Sequence, residues 1–136
     1  MLRGTAIPAE LGGAAEPFGR VLVPSSQLAS LYRRAACLVY PSLYEGFGIP
    51  PLEAMACGCP VAASNAGAIP DVCGEGAVLF DPTDVEAMAA AMLEADGRRE
   101  ELRELGLARS SLFTWDETAR GHEGVYRTAA SLSLDR

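Results

Sequence analysis

The chain has 136 residues, of which 49% are hydrophobic, and its formal net charge is −7 at pH 7. The hydrophobic content indicates a folded globular protein, and the acidic balance argues against nucleic acid as a partner, because phosphate backbones are bound by an excess of Lys and Arg. No apolar run approaches the ~20 residues needed to cross a bilayer, and the N-terminus lacks the apolar core of a secretion signal, so we predict a cytoplasmic location.

The first regular elements are predicted to follow an irregular start. Residues 1–20 are rich in Gly and Pro, which break periodic patterns. Residues 21–23 form a short apolar run, after which Ser25 or Ser26 can cap a helix. That helix has an apolar stripe at helical spacing, formed by Leu28, Leu31, Tyr32, Ala35 and Ala36.

Three further apolar runs, at residues 37–40, 61–64 and 77–80, do not alternate polar with apolar positions. Helical segments are predicted between them, around residues 51–57, ending at Gly58, and near residues 70–73. Continuous apolar strands separated by helices indicate a parallel sheet covered on both faces. The predicted fold class is α/β, a doubly wound, Rossmann-like parallel sheet followed by C-terminal helices.

Helices fill the rest of the chain. Thr83 and Glu86 have the spacing of a capping box, and the helix that they begin is predicted to end at Gly97. A charged helix follows at residues 98–110. Thr114 and Glu117 form a second such box, at the start of the last predicted helix. This helix has an apolar stripe, formed by Trp115, Thr118, Ala119, His122, Val125, Tyr126 and Ala129. A packing role is expected for His122.

The four cysteines, at positions 37, 57, 59 and 73, lie in or beside apolar segments. Free Cys is among the most buried residue types, so buried and reduced thiols are expected. The spacing of Cys57 and Cys59 is not that of a C-x-x-C pair, and no second cluster with His completes a zinc site. We predict no metal and no cofactor.

The segment from Pro41 to Glu53 joins a predicted buried strand to a predicted helix, at the sheet edge where ligands bind in this architecture. Gly46 and Gly48 allow close approach of the backbone to a ligand, and free N–H groups at a helix N-terminus can hold a diphosphate. Carboxylates at Glu45 and Glu53 accept hydrogen bonds from sugar hydroxyls. Glu45 as a solvated loop acid and Glu53 as a favourable charge at the helix N-terminus stay open as alternatives.

The pair of glutamates with seven residues between them resembles the signature of retaining glycosyltransferases with the two-domain GT-B fold, the glycosyl transferases group 1 family. The flanking segments match as well, at residues 31–36, 53–61, 64–71 and 81–84, and the resemblance runs over residues 21–126. It implies that residues 21–136 are part of a nucleotide-sugar-binding domain. It also implies an N-terminal acceptor-binding domain, on the same chain or on a partner subunit.

The resemblance implies a role for each residue of the loop. Glu45 contacts the donor sugar near the reacting carbon and is the catalytic candidate, while Glu53 holds the ribose hydroxyls. Pro41 and Ser42 line the nucleotide pocket. Backbone N–H groups for the sugar and the diphosphate are expected from Gly46, Phe47, Gly48 and Ile49. Members work without a bound metal and transfer the sugar with retention of the anomeric configuration.

The predicted function is therefore the donor-binding part of a glycosyltransferase, with a nucleoside diphosphate sugar as its substrate. Isolated residues 1–136 are expected to be inactive, and peripheral membrane association through other parts of the enzyme remains open. The alternative is a noncatalytic module of the same fold that binds a nucleotide sugar or a protein. A phosphorylase would need a lysine for pyridoxal phosphate, and this chain contains no lysine.

Overall fold

The structure is a computed structural model that describes residues 23–134. Its elements are, in chain order, α1 (Ser25–Arg34), β1 (Leu38–Tyr40), α2 (Ile49–Ala56), β2 (Val61–Ser64), α3 (Ile69–Cys73), a 3₁₀ turn at Gly74–Gly76, β3 (Ala77–Phe80), α4 (Val85–Gly97), α5 (Arg99–Ser110) and α6 (Trp115–Leu134). The predicted irregular residues 1–20, and residues 21 and 22 of the first apolar run, lie outside this range.

The strands form a parallel sheet in the order β1-β2-β3. Leu38 pairs with Val61 and Tyr40 with Ala63, while Val61 pairs in turn with Ala77. Parallel strands in sequence order require crossover connections, which α2 and α3 provide. The carboxyl ends of all three strands therefore lie at one edge, and the loop after β1 begins there.

Two apolar clusters cover the two faces of the sheet. One cluster surrounds Met55 of α2 and includes Val61 and Ala63, whereas the other places Ala62 and Phe80 against α4 and α5. Successive residues of β2 thus point to opposite faces and are all buried, as a strand inside a covered sheet requires. The α/β fold class and the parallel sheet predicted from the sequence are confirmed.

Two arginine side chains of α5 connect this helix to α1 and α3. Arg99 donates to the carbonyl oxygens of Ala35 at 3.3 Å and Ala36 at 2.5 Å, at the carboxyl end of α1. Arg109 donates in the same way to the carbonyl of Val72, at 2.9 Å, in α3. A cation at a helix C-terminus is favoured by the helix dipole and satisfies carbonyl groups that the helix leaves unpaired.

The predicted cap of the first helix and one of the predicted capping boxes are wrong. Pro24, not Ser25 or Ser26, occupies the N-cap position of α1, and no side chain caps that helix. The N-cap of α4 is Asp84, whose carboxylate accepts from the N–H of Ala87 at 3.0 Å. Thr83 precedes this position, and its hydroxyl donates to Asp81 at 2.7 Å.

The second capping box is half confirmed. The hydroxyl of Thr114 accepts from the N–H of Glu117 at 3.1 Å, but the carboxylate of Glu117 bonds to Arg120 instead of returning to the cap. A cation three residues further along the helix is therefore the stronger competitor for this carboxylate.

The apolar stripe of α6 is exposed, so the packing role expected for His122 is wrong within residues 23–134. Trp115 is 86% exposed and Tyr126 70% exposed. His122 instead contacts the carbonyl of Thr118 through Nδ1, at 2.8 Å.

Between residues 23 and 134, no helix combines the length and the apolar character needed to cross a membrane.

The cysteines are unpaired, and the expectation of burial holds for two of them. Cys59 and Cys73 are buried, whereas Cys37 and Cys57 are half-buried. Burial raises the pKa of the Cys59 and Cys73 thiols to about 11, because a low-dielectric surrounding disfavours the thiolate. Both thiols are therefore protonated and unreactive near neutral pH.

Candidate functional site

The candidate site is the loop between β1 and α2, which leaves the carboxyl edge of the sheet. Gly48 ends this loop with φ of +107° and occupies the N-cap position of α2. Pro50 and Pro51 follow in the first helical turn, as predicted, where a missing N–H costs nothing. The fixed φ of proline and the left-handed Gly48 together set the direction in which α2 leaves the loop.

Unpaired backbone donors cluster in the loop. Within residues 23–134, the N–H groups at positions 46–49 donate to no protein acceptor. Most of this segment is exposed, although Gly48 is buried. Amides that converge at the N-terminus of a helix favour an anion, because the helix dipole adds to their own. The arrangement fits the predicted diphosphate contacts of Gly46, Phe47, Gly48 and Ile49, which stay a prediction.

Glu45 is half-buried and held by neighbours on the same strand and loop. Its Oε1 accepts a hydrogen bond from the Tyr40 hydroxyl at 2.6 Å and a second from Ser42 Oγ at 3.1 Å. The neighbouring carboxylate raises the pKa of Tyr40 to about 12, chiefly through this hydrogen bond. The Glu45 carboxylate is thus oriented by two hydrogen bonds. It is not a freely solvated loop acid.

Glu53 is exposed on the outer side of α2 and has a different tyrosine near it. Burial raises the pKa of Tyr32 above its usual range, and the nearby Glu53 carboxylate adds to the effect. Tyr32 itself packs on the core beneath α2. The two glutamates therefore differ in exposure, since Glu45 is half-buried and Glu53 lies at the surface.

Glu53 also borders an open groove of about 560 Å³ between α2 and the α5–α6 turn. The rings of Phe47 and Phe113 meet there edge to face, with centroids 5.7 Å apart. Arg109 lies over the Phe113 ring at 4.9 Å. We expect from the spacing of Glu45 and Glu53 that both point into one cleft; Glu45 does not border this groove, and the expectation stays a prediction.

The remaining predicted residues lie at the start of the loop. Pro41 is exposed and Ser42 is half-buried. The Ser42 hydroxyl lies within hydrogen-bond distance of the Tyr44 carbonyl, at 3.2 Å, as well as of Glu45. Tyr40 was not identified as a site residue from the sequence, because it counts there as one apolar residue of a strand. Its hydroxyl, at the carboxyl end of that strand, is the signal that could have revealed it.

Replacement of Gly48 by Ala tests whether the loop geometry depends on glycine. An added Cβ would lie 2.7 Å from Cδ1 of the fully buried Ile69, in a backbone conformation that L-residues avoid. We expect Gly48→Ala to lower the free energy of unfolding by about 1–2 kcal/mol, measured by urea denaturation. Gly46→Ala is the matched control, because nothing lies within 4 Å of its Cβ position. Equal stability of the two variants would contradict the assigned geometry.

Comparison with known proteins bears on this site. A family profile described as Glycosyl transferases group 1 matches residues 9–106. O-antigen chain mannosyltransferase B of Escherichia coli is 45% identical over 108 residues, which are 77% of this chain and 28% of that protein. D-inositol 3-phosphate glycosyltransferase of Acidothermus cellulolyticus is 37% identical over 128 residues, 91% of this chain and 29% of that one. The chain thus spans less than a third of these relatives.

A solved structure agrees with the sequence matches. Sucrose-phosphate synthase from Thermosynechococcus elongatus superposes with a TM-score of 0.70 and 33% identity, over 83% of this chain and 30% of that chain. The family profile covers more than half of the 136 residues. The chain belongs to the glycosyl transferases group 1 family.

Proposed function

We propose that this chain is the donor-binding part of a glycosyltransferase that moves a sugar from a nucleoside diphosphate sugar to an acceptor, with retention of configuration. The observation that carries the proposal is the run of N–H groups at residues 46–49 that have no acceptor among residues 23–134, flanked by Glu45 and Glu53. Several relatives are named as mannosyltransferases. A mannose donor is therefore the first to test.

Each group of the loop has a part in the proposed complex. The amides of residues 46–49 hold the diphosphate, and the α2 dipole helps to stabilise its charge as the sugar leaves. The oriented carboxylate of Glu45 accepts from a hydroxyl of the donor sugar, and Glu53 accepts from the ribose hydroxyls. Pro41 and Ser42 line the nucleotide pocket. This division needs no metal ion.

Other parts of the proposed enzyme complete the site. An N-terminal domain or a partner subunit would orient the acceptor and supply further cations for the diphosphate, since this chain carries −7 and no lysine. We propose a cytoplasmic location, which the unpaired cysteines fit. Any peripheral attachment to a membrane would be made by those other parts.

The proposal is tested by equilibrium binding of nucleoside diphosphates to the purified chain. We expect GDP or UDP to bind weakly, and Glu53→Ala to weaken that binding about three- to tenfold, because one charged hydrogen-bond partner of the ribose is lost. Glu104→Ala is the control, as Glu104 is an exposed glutamate of α5. Absence of binding to the wild-type chain, or equal binding by both variants, would contradict the proposal.

A further inference from the structure

The hydrogen bond between Tyr40 and Glu45 joins a residue of the sheet to a residue of the loop. Tyr40 is the last residue of β1, paired with Ala63 of β2, and its ring packs on the core cluster around Met55. Glu45 lies in the loop beyond the sheet, five residues later. The phenol is thus anchored by the sheet, and its hydroxyl reaches into the candidate site.

Tyr40 is a better anchor for the carboxylate than Ser42. The Ser42 hydroxyl has one proton and two acceptors in range, Glu45 Oε1 at 3.1 Å and the Tyr44 carbonyl at 3.2 Å. The Tyr40 hydroxyl has the shorter contact, 2.6 Å, and only this acceptor among residues 23–134. A short bond to an ionised acceptor belongs to the stronger class of hydrogen bonds.

Both donors use the same carboxylate oxygen. Oε1 of Glu45 receives the Tyr40 and Ser42 bonds, and no described residue bonds Oε2. A carboxylate fixed through one oxygen has a defined direction for the lone pairs of the other. Fixing the group before the ligand arrives also avoids part of the entropy cost of ordering a glutamate side chain.

We propose that Tyr40 is a positioning residue: its hydroxyl fixes Oε1 of Glu45, so that Oε2 is presented to a hydroxyl of the donor sugar. The inference rests on the proposed function, because it assigns Glu45 to the sugar rather than to the nucleotide. It separates the two glutamates functionally. Loss of the phenol hydroxyl affects recognition of the sugar and leaves recognition of the nucleoside diphosphate intact.

The test compares sugar nucleotides with the matching nucleoside diphosphates, GDP-mannose with GDP and UDP-glucose with UDP. For whichever pair binds, we expect Tyr40→Phe to raise the Kd of the sugar nucleotide about three- to tenfold relative to the Kd of the nucleoside diphosphate. Phe keeps the packed ring and removes the hydroxyl. Tyr44→Phe makes the same change at a residue that is 84% exposed, and it should leave the ratio of the two constants unchanged.

Coupling to Glu45 distinguishes positioning from general damage. Glu45→Ala should shift the same ratio, and adding Tyr40→Phe to Glu45→Ala should shift it no further, because the hydroxyl then has nothing to position. A wild-type ratio in Tyr40→Phe, with a shifted ratio in Glu45→Ala, would overturn the inference and leave the proposed function standing. Absence of binding by the wild-type chain would overturn the proposed function, and the inference with it.

A ligand-free measurement checks the bond itself. NMR of ¹³C-labelled tyrosine reports the ionised fraction of each phenol. At pH 11 an ordinary phenol is about nine-tenths ionised, whereas Tyr40 should be only about one-tenth ionised. In Glu45→Ala the ionised fraction of Tyr40 should rise towards that of an ordinary phenol, because the largest cause of its raised pKa is lost and burial remains, while circular dichroism verifies that the fold persists. An ordinary Tyr40 signal in the wild-type chain would overturn the inference.

Discussion

Residues 1–136, incubated alone with nucleoside diphosphate sugars and a broad mixture of acceptors, are expected to transfer no measurable sugar. The match to the Escherichia coli mannosyltransferase covers only 28% of that protein. Nothing in the described site orients the attacking hydroxyl. Lost orientation can remove about 7–11 kcal/mol of barrier reduction, which is enough to abolish detectable turnover.

Electrostatics point in the same direction. The loop provides amides and a helix dipole, but the 136 residues include no lysine and carry a net charge of −7. Removing one electrostatic donor from a transition state typically costs about 10²–10³ in rate. The loop is also largely exposed, with Phe47 at 44% and Ile49 at 56%, so water screens the remaining dipoles.

The measurement is release of nucleoside diphosphate, with and without acceptors. Background hydrolysis of the donor is the baseline, and the Glu45→Ala chain is the control. Release that depends on an acceptor and disappears in Glu45→Ala would refute the expectation. Such a result would mean that this segment alone contains a complete catalytic site.

The second expected result concerns the division of work between the two glutamates. In a chimaera that carries the matching segment of this chain in place of its 108-residue counterpart in the Escherichia coli mannosyltransferase, Glu45→Ala should lower kcat by about 10²–10³. Its proposed partner is the sugar that reacts, so its contribution grows in the transition state. Glu53→Ala should instead raise KM for the donor and change kcat little, because ribose contacts are similar in ground and transition states.

Steady-state kinetics with a varied donor separate the two effects. Glu104→Ala, an exposed glutamate on α5, controls for loss of a charge, and an active unsubstituted chimaera establishes that the transplanted segment functions. Wild-type kinetics in both Glu45→Ala and Glu53→Ala would show the assignment to be wrong. The opposite split, with Glu53→Ala lowering kcat and Glu45→Ala raising KM, would reverse the two roles.

The sheet could be predicted well because burial on both faces leaves a simple pattern. The runs at 61–64 and 77–80 coincide with β2 and β3, and the run at 37–40 is one residue longer than β1. Gly58 and Gly97 were the expected helix ends, and α2 and α4 do stop at or just before them. These features depend on local chemistry that a sequence displays directly.

Features that depend on competition between neighbours could not be predicted in this way. Thr83 has the spacing of a cap, but its hydroxyl donates to Asp81, and the residue that caps α4 is Asp84. The stripe of α6 predicts a buried face, yet Trp115 and Tyr126 are exposed among the described residues. An amphipathic pattern states which face is apolar and does not state what covers it.

The candidate site shows the same contrast. The glycines, prolines and glutamates of the loop are visible in the sequence, and the structure puts them at the expected sheet edge. The partner of Glu45 was not predicted, because Tyr40 fits an apolar strand equally well by its ring and only the position of its hydroxyl reveals the bond. The roles of the loop residues stay predictions.

The proline pair at the start of α2 has a consequence for the heat and entropy of binding. Pro50 and Pro51 have fixed φ, and Gly48 lies close to the Ile69 side chain, so the end of the loop at Gly48 and Ile49 has few alternative conformations. Ordering a free residue costs about 1–2 kcal/mol. A loop that is already ordered avoids this loss, so calorimetry of anion binding should record a small entropic penalty and retain most of the contact energy as affinity.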